Sequence, residues 1–272
     1  MYPEVFKIGQ IAIRSYGLML AVSVLLGVYY VYKMSKRKGY DFDRLFSLAY
    51  ILVFGGVIGA RIAYVLFHIE EFRGRWLDTF NPFGTDQIGI AGLNLYGGIL
   101  LAVLLAFLYM RWRKMPVLQT FDVFAPTVGL GLLFTRIGCF LNGCCFGTPC
   151  ELPWSVTFPQ GSIPFYTFGN TAIHPAQLYS SLYGLILFLF LHWRLKNKQF
   201  DGQVVGLLFM IEAVFRYAIE YVRYYENAMH IHFLGMEPTY NHLISIGLFL
   251  LGLGIYIVQY RKARQNSRGG LA

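Results

Sequence analysis

Four arginines of this chain sit where arginine is costly. Arg61, Arg136, Arg216 and Arg223 fall inside long apolar stretches, where a guanidinium at mid-membrane depth costs roughly 2.5–3.5 kcal/mol on insertion scales, so a partner or a function is expected there. Glu212, Arg216, Glu220 and Arg223 follow one another at i, i+4, i+8 and i+11, a narrow stripe on one helix face if the helix runs through them. Such a stripe reads in two ways: as an ion-pair ladder that locks helices together, or as the wall of an anion site. Guanidinium groups hold phosphate oxygens in bidentate geometry, and more strongly where water is excluded. A phospholipid headgroup is the anion that reaches such a depth by lateral diffusion.

The elements that must carry these residues follow from the apolar pattern. Of 272 residues 56% are hydrophobic and 14% charged, too few charges for an ordinary soluble domain. Seven stretches approach the length needed to cross about 30 Å of hydrocarbon as helices: 16–33, 46–68, 93–111, 120–137, 177–194, 204–224 and 242–260. The expected architecture is therefore an all-α integral membrane bundle of about seven transmembrane helices forming a single domain over 1–272, with external segments at about 69–92, 138–176 and 225–241. The first stretch lacks the basic n-region and small-residue cleavage site of a signal peptide.

Charge orients the bundle. Fifteen Lys and Arg residues follow the first, third, fifth and seventh stretches, whereas Lys7, Arg14, Arg73 and Arg75 lie on the other side. The positive-inside rule places the N-terminus outside and the C-terminus in the cytoplasm. The net charge of +9 is thus a topology signal, and no nucleic-acid partner is expected. With this orientation the four buried arginines fall in the outer halves of their spans. The same depth collects Tyr16-Gly17, Tyr96-Gly97-Gly98, His174-Pro175-Ala176-Gln177 and Asn241-His242, each at the start of a span.

The motifs resemble those of the prolipoprotein diacylglyceryl transferase family, in order and over nearly the whole chain. Arg14-Ser15-Tyr16-Gly17-Leu18 is similar to the family's opening R-x-Y-G-L, and Gly59-Ala60-Arg61 to its G-x-R. Thr135-Arg136-Ile137-Gly138-Cys139-Phe140-Leu141-Asn142-Gly143 resembles the signature G-R-x-G-N-F-x-N-G. His174-Pro175-Ala176-Gln177-Leu178-Tyr179 matches H-P-x-Q-L-Y, and Phe215-Arg216 with Glu220 and Arg223 resembles the late G-R-F-x-x-E-x-x-R. The resemblance implies a bacterial, multi-pass protein of the cytoplasmic (inner) membrane with its site toward the outer leaflet. Its donor would be phosphatidylglycerol and its acceptor the lipobox cysteine at a prolipoprotein signal peptide. Transfer forms a thioether, releases glycerol phosphate and requires no cofactor.

Carried over by motif, Arg136 and Arg216 contact the phosphate, with Tyr96 as a third catalytic group. Tyr16, Arg61, Gly97, Gly98, Asn142, Gly143, Gly147, His174, Gln177, Glu220 and Arg223 bind or shape the substrates, Glu220 by orienting Arg216. The chain departs from the pattern at Tyr96, where the family has His, at Cys139 and Cys144, where it has Asn and Glu, and at Thr135. A phenol of ordinary pKa near 10 is a weak base at neutral pH.

Several readings stay open at this level. Tyr96 also fits an interfacial anchor, and His174 a cap for the fifth span. The four cysteines, 139, 144, 145 and 150, form a C-x4-C-C-x4-C run without the two-residue spacing of common zinc knuckles. Packing is the expectation for them, with a disulfide or a metal as alternatives, and none is expected to be catalytic because the acceptor brings its own thiol. No metal site is expected at His230, His232 and His242. The competing functions are a membrane lipid or anion transporter, a structural scaffold, or a divergent family member using another lipid donor.

Overall fold

The computed structural model of the protein describes residues 4–8, 11–74, 94–225 and 239–269. Most of the expected external segments 69–92 and 225–241, with His230 and His232, lies outside the described residues. The described residues are mostly helical, with a two-stranded ribbon of β1 (Glu4–Ile8) and β2 (Ile11–Arg14) before the first helix. Seven long helices coincide with the seven apolar stretches: α1 (Ser15–Lys38), α2 (Phe42–Phe67), α4 (Leu95–Trp112), α5 (Val117–Asn142), α7 (Ala176–Lys196), α8 (Gln203–Ile219) and α9 (Tyr240–Gly269). Two short ones intervene, α3 (Ile69–Phe72) and α6 (Ile163–Phe168).

By length and composition α1, α2, α5, α7 and α9 are long and apolar enough to cross a membrane; α4 and α8 are shorter. The helices expose large side chains such as Leu25, Phe67, Leu100 and Leu250, as expected for surfaces that face lipid rather than water. The protein is an integral membrane protein with several apolar helices.

The chain divides into two compact units, one of residues 1–3, 14–27 and 121–272, the other of 4–13 and 28–120. In the second unit α2 and α4 pack backbone to backbone. A Cβ on Gly98 would lie 2.7 Å from the Gly56 carbonyl oxygen, and one on Gly97 2.8 Å from that of Gly59. Small residues allow this approach, which is how apolar helices associate where no hydrophobic drive separates them from lipid. Asn94 fixes the start of α4. Its Oδ1 accepts from the backbone N–H groups of Tyr96 and Gly97 at 3.0 and 3.2 Å, while its own N–H donates to the Ala60 carbonyl at 2.9 Å.

In the first unit the same device joins α5 to α7, through Gly129 and Gly184, and α8 to α9, through Gly206 and Gly252. The start of α8 is closed from another helix. Asp122 of α5, fully buried, accepts from the N–H groups of Gly202, Val204 and Val205 at 2.9–3.0 Å and pairs with Lys198 Nζ at 3.3 Å. A carboxylate there satisfies N–H groups that the helix leaves without partners and meets the positive end of its dipole.

Helix α8 ends at Ile219, five residues before the expected limit of 224. The chain from Val222 to Tyr224 instead pairs with the segment after α5: Thr148 N–H donates to the Val222 carbonyl at 3.0 Å and Tyr224 N–H to the Phe146 carbonyl at 3.1 Å. A second pairing, through Ile173, closes a small core of Phe146, Phe158 and Ile173, packed by Phe140, Val156, Phe168 and Tyr224. This cap rests on the ends of α5 and α8, the two helices that carry Arg136 and Arg216.

Candidate functional site

The first unit gathers most of the residues that sequence reasoning singled out, and Glu220 is their hub. It occupies the C-cap of α8, and its side chain is fully buried. One oxygen accepts from Tyr225 Oη at 2.7 Å and lies 3.1 Å from Arg216 Nη2 and 3.9 Å from Arg223 Nη1. The other accepts from Thr239 Oγ1 at 2.9 Å and Asn241 Nδ2 at 3.2 Å. A carboxylate is an acceptor only, so this arrangement leaves it fully committed and holds both arginines by charge. Arg216 Nη2 also donates to Tyr225 Oη at 3.1 Å, and the Arg223 guanidinium lies 4.8 Å from the centre of the Tyr225 ring. Burial pushes the Tyr225 phenol up to about 12, against the pull of Arg223 and Arg216, so it remains a donor to Glu220.

The expected four-residue ladder is thereby corrected. Arg223 lies beyond the end of α8, in the segment bridged to Gly147, and reaches Glu220 from there. Glu212 instead accepts from Tyr183 Oη at 2.9 Å, within electrostatic reach of Arg216 and Arg136. Arg223 lies within electrostatic reach of both Arg216 and Arg136, which brings three of the four singled-out arginines into one neighbourhood. Glu220 fixes two of them, and planar guanidinium forks gathered in this way suit an oxyanion such as phosphate.

Arg136 faces a group of thiols. Helix α5 ends in a Schellman motif: Gly143 at φ +75° donates its N–H to the Phe140 carbonyl, and Cys144 N–H donates to the Cys139 carbonyl at 3.1 Å. The turn folds Cys144 and Cys145 back over Cys139, with Arg136 beside Cys145. Cys145 itself has φ +58°. The adjacent Cys139 and Cys144 thiols, with the charges of Arg223 and Arg136, lower the Cys145 thiol from its ordinary value. Tyr16, in the first turn of α1, lies within electrostatic reach of Arg136 and all three thiols, and the Asn142 side chain hydrogen-bonds the Cys144 thiol.

Gln177 and His174 support this turn from the other side. Gln177, fully buried, donates from Nε2 to the Cys144 carbonyl at 2.9 Å, and its Oε1 has no partner among the described residues. His174 exchanges backbone bonds with Gly147 and Thr148, and its Nδ1 lies 3.3 Å from Tyr179 Oη, which also accepts from Trp154 Nε1 at 2.7 Å. Gly147 is pressed between two strands of backbone. A Cβ there would stand 2.6 Å from the His174 carbonyl oxygen and 2.7 Å from that of Val222.

Arg61, Tyr96, Gly97 and Gly98 belong to the second unit. Arg61 is buried, with its guanidinium 5.6 Å from the Tyr64 ring and 5.1 Å from the Phe72 ring, a cation–π setting that offsets some of its desolvation. Tyr96 is exposed in the first turn of α4, and Gly97 and Gly98 sit in the crossing with α2. Sequence reasoning missed Tyr225 and Thr239, which complete the shell of Glu220; only their closeness to Arg223 and Asn241 in the chain pointed there. His242 places its Nδ1 3.0 Å from Thr239 Oγ1, and its ring packs against those of Tyr217 and Tyr221.

The chain is also similar to known proteins. The family model described as prolipoprotein diacylglyceryl transferase matches residues 3–258. Three bacterial proteins named phosphatidylglycerol–prolipoprotein diacylglyceryl transferase are similar to the chain. The one from Clostridium tetani is 34% identical over 223 residues, 82% of this chain and 86% of its own. That from Pseudoalteromonas translucida is 31% identical over 271 residues, 97% and 95% of the two chains. That from Pasteurella multocida is 30% identical over 264 residues, 96% and 93%.

Proposed function

Because the chain belongs to the prolipoprotein diacylglyceryl transferase family, we propose that it transfers the diacylglyceryl group of phosphatidylglycerol to the lipobox cysteine of prolipoproteins. The observation that carries the mechanism is that one fully buried carboxylate holds Arg216 and Arg223, with Arg136 within electrostatic reach of Arg223. The reaction is alkylation of sulfur at a glycerol carbon. A carbon–sulfur bond forms, the carbon–oxygen bond to phosphate breaks, and the electron pair leaves on the phosphate oxygen. Catalysis then consists of stabilising that departing charge more strongly than the bound lipid, and of removing the thiol proton.

Arg136 and Arg216 hold the phosphate, and Arg223 adds positive charge beside them. Glu220 holds Arg216 through its 3.1 Å contact, and Tyr225 bridges the two at 2.7 and 3.1 Å. Tyr16, Asn142, Gly143, Gly147, His174 and Gln177 shape the lipid pocket, Arg61, Gly97 and Gly98 keep the substrate roles that their motifs imply, and Tyr96 keeps its role as a third catalytic group. The seven long helices all span the cytoplasmic membrane, with the N-terminus outside, the C-terminus in the cytoplasm and the site toward the outer leaflet.

Purified protein, labelled phosphatidylglycerol and a lipobox peptide test the reading. Thioether product is expected. Lipid movement without product would replace this function with transport. Arg136→Ala and Arg216→Ala should each lower the rate by about 10² to 10³, the typical cost of removing one donor from such a site. Lys at either position should recover little, since an ammonium lacks the planar fork for two oxygens. Wild-type rates in both alanine variants would refute the catalytic roles.

A further inference from the structure

The Schellman turn at the end of α5 does more than stop a helix. The sulfurs of Cys139, Cys144 and Cys145 all lie within 4.8 Å of one another, and the four cysteines are unbridged. A zinc ion binds thiolate at about 2.3 Å, which in tetrahedral geometry sets sulfurs about 3.8 Å apart, so rotation of side chains suffices to close the group on an ion. Among the described residues no fourth His, Cys, Asp or Glu joins it. Three protein ligands with one open position is the arrangement of reactive rather than structural zinc sites. Thiolates select zinc and similarly soft ions over magnesium or calcium. Three thiolates on a divalent ion leave one net negative charge, and Arg136 and Arg223, which both act on Cys145, are placed to offset it.

We propose that Cys139, Cys144 and Cys145 form a three-sulfur site for zinc, and that its open position receives the acceptor thiol. The second half rests on the transferase reading; the first does not. The ion binds the cysteines as thiolates, any thiol proton passing to solvent, and the acceptor thiol gives up its own proton on binding, so the substrate reaches the lipid as a metal-bound thiolate. Its lone pair attacks the glycerol carbon while the carbon–oxygen electrons leave with the phosphate that Arg136 and Arg216 hold. The thioether product is a weaker ligand than thiolate and departs. Such a site supplies the activated sulfur in a chain whose residue 96 is a phenol rather than an imidazole.

The test uses full-length protein purified in detergent under reducing conditions and stripped with a chelator. Cobalt should develop a thiolate charge-transfer band that saturates at one equivalent and is displaced by zinc. Cys144→Ser and Cys145→Ser should each weaken the band, and Cys150→Ser should leave it unchanged, judged in variants that keep wild-type elution and melting. A lipobox peptide added without lipid should shift the cobalt spectrum, and the same peptide with serine in place of its cysteine should not. Zinc reloading should restore transfer at least tenfold over the stripped protein. No band in reduced protein, or a band surviving replacement of all three cysteines, overturns the site. A spectrum indifferent to the peptide, or full transfer by stripped protein, overturns the activation while leaving the transferase reading standing. A peptide-sensitive cobalt site in a protein that makes no thioether in either form would do the reverse.

Discussion

Replacing Glu220 by alanine should separate what the arginines owe to their anchor from what they do themselves. The neutral members of its shell have other outlets. Thr239 Oγ1 lies 3.0 Å from His242 Nδ1, and Asn241 Nδ2 lies 3.3 Å from Tyr225 Oη. Their loss of an acceptor is therefore partly made up, and the cost falls on the cations. Breaking a buried pair by removing one partner costs about 3–5 kcal/mol. Arg216 retains 26% side-chain exposure and Arg223 only 9%, so water relieves the first and hardly the second, which sets the expectation at about 3 kcal/mol, near the low end of that range. For a chain of this size that corresponds to roughly 6–12 °C in melting temperature. Transfer should fall further than stability explains, by about 10²-fold at a temperature where the variant is folded, since Arg216 loses the contact that aims it. Glu220→Gln keeps an oxygen for one arginine but not the charge, and should lie between. The assay is thermal unfolding in detergent beside initial rates with saturating lipid. Unchanged melting and unchanged turnover in Glu220→Ala would refute the hub.

Three further expectations are open to measurement. Tyr96→Phe should lower turnover more than stability, and Tyr96→His should retain activity; wild-type behaviour of Tyr96→Phe would leave the residue an interfacial anchor. Gly147→Ala should destabilise by about 1–3 kcal/mol, as overpacking does, because the two carbonyl oxygens at 2.6 and 2.7 Å belong to backbone that cannot give way like a side chain; an unchanged melting curve would contradict the packing. A reporter active only outside the cytoplasm should work when fused near Glu151 and fail at the C-terminus, and the opposite pattern would reverse the orientation.

What was legible in the sequence was what apolar length and motif order encode. The seven long helices follow the seven stretches because each is a continuous apolar run ended by polar or turn-forming residues. Their ends were harder. Helix α5 begins at Val117, just after Pro116, and runs to Asn142 rather than 137, because the Schellman turn at Gly143, not a change in hydrophobicity, stops it. Helix α8 stops early because the backbone of Val222 and Tyr224 finds partners at Thr148 and Phe146, a long-range pairing that no local pattern announces. The same holds for the site. Arg136, Arg216 and Glu220 stood out as charges in apolar surroundings, but Tyr225 and Thr239 look like ordinary loop residues until α8 and α9 are packed. The cysteines read as packing residues because their spacing is not that of a metal knuckle; a left-handed turn, not a two-residue gap, brings three of the sulfurs together.

Asp122 carries a consequence for the arginines although it touches none of them. It fastens α5 to the first turn of α8, and Arg136 stands fourteen residues further along one helix, Arg216 fourteen beyond Gly202 on the other. At 1.5 Å per residue both lie about 21 Å from the joint. The two helices thus resemble the arms of tweezers, with the jaws at the proposed phosphate site and the rivet at the far end. A small slip at the rivet is carried along both arms, so Asp122 governs the gap between the jaws as surely as any residue that lines it.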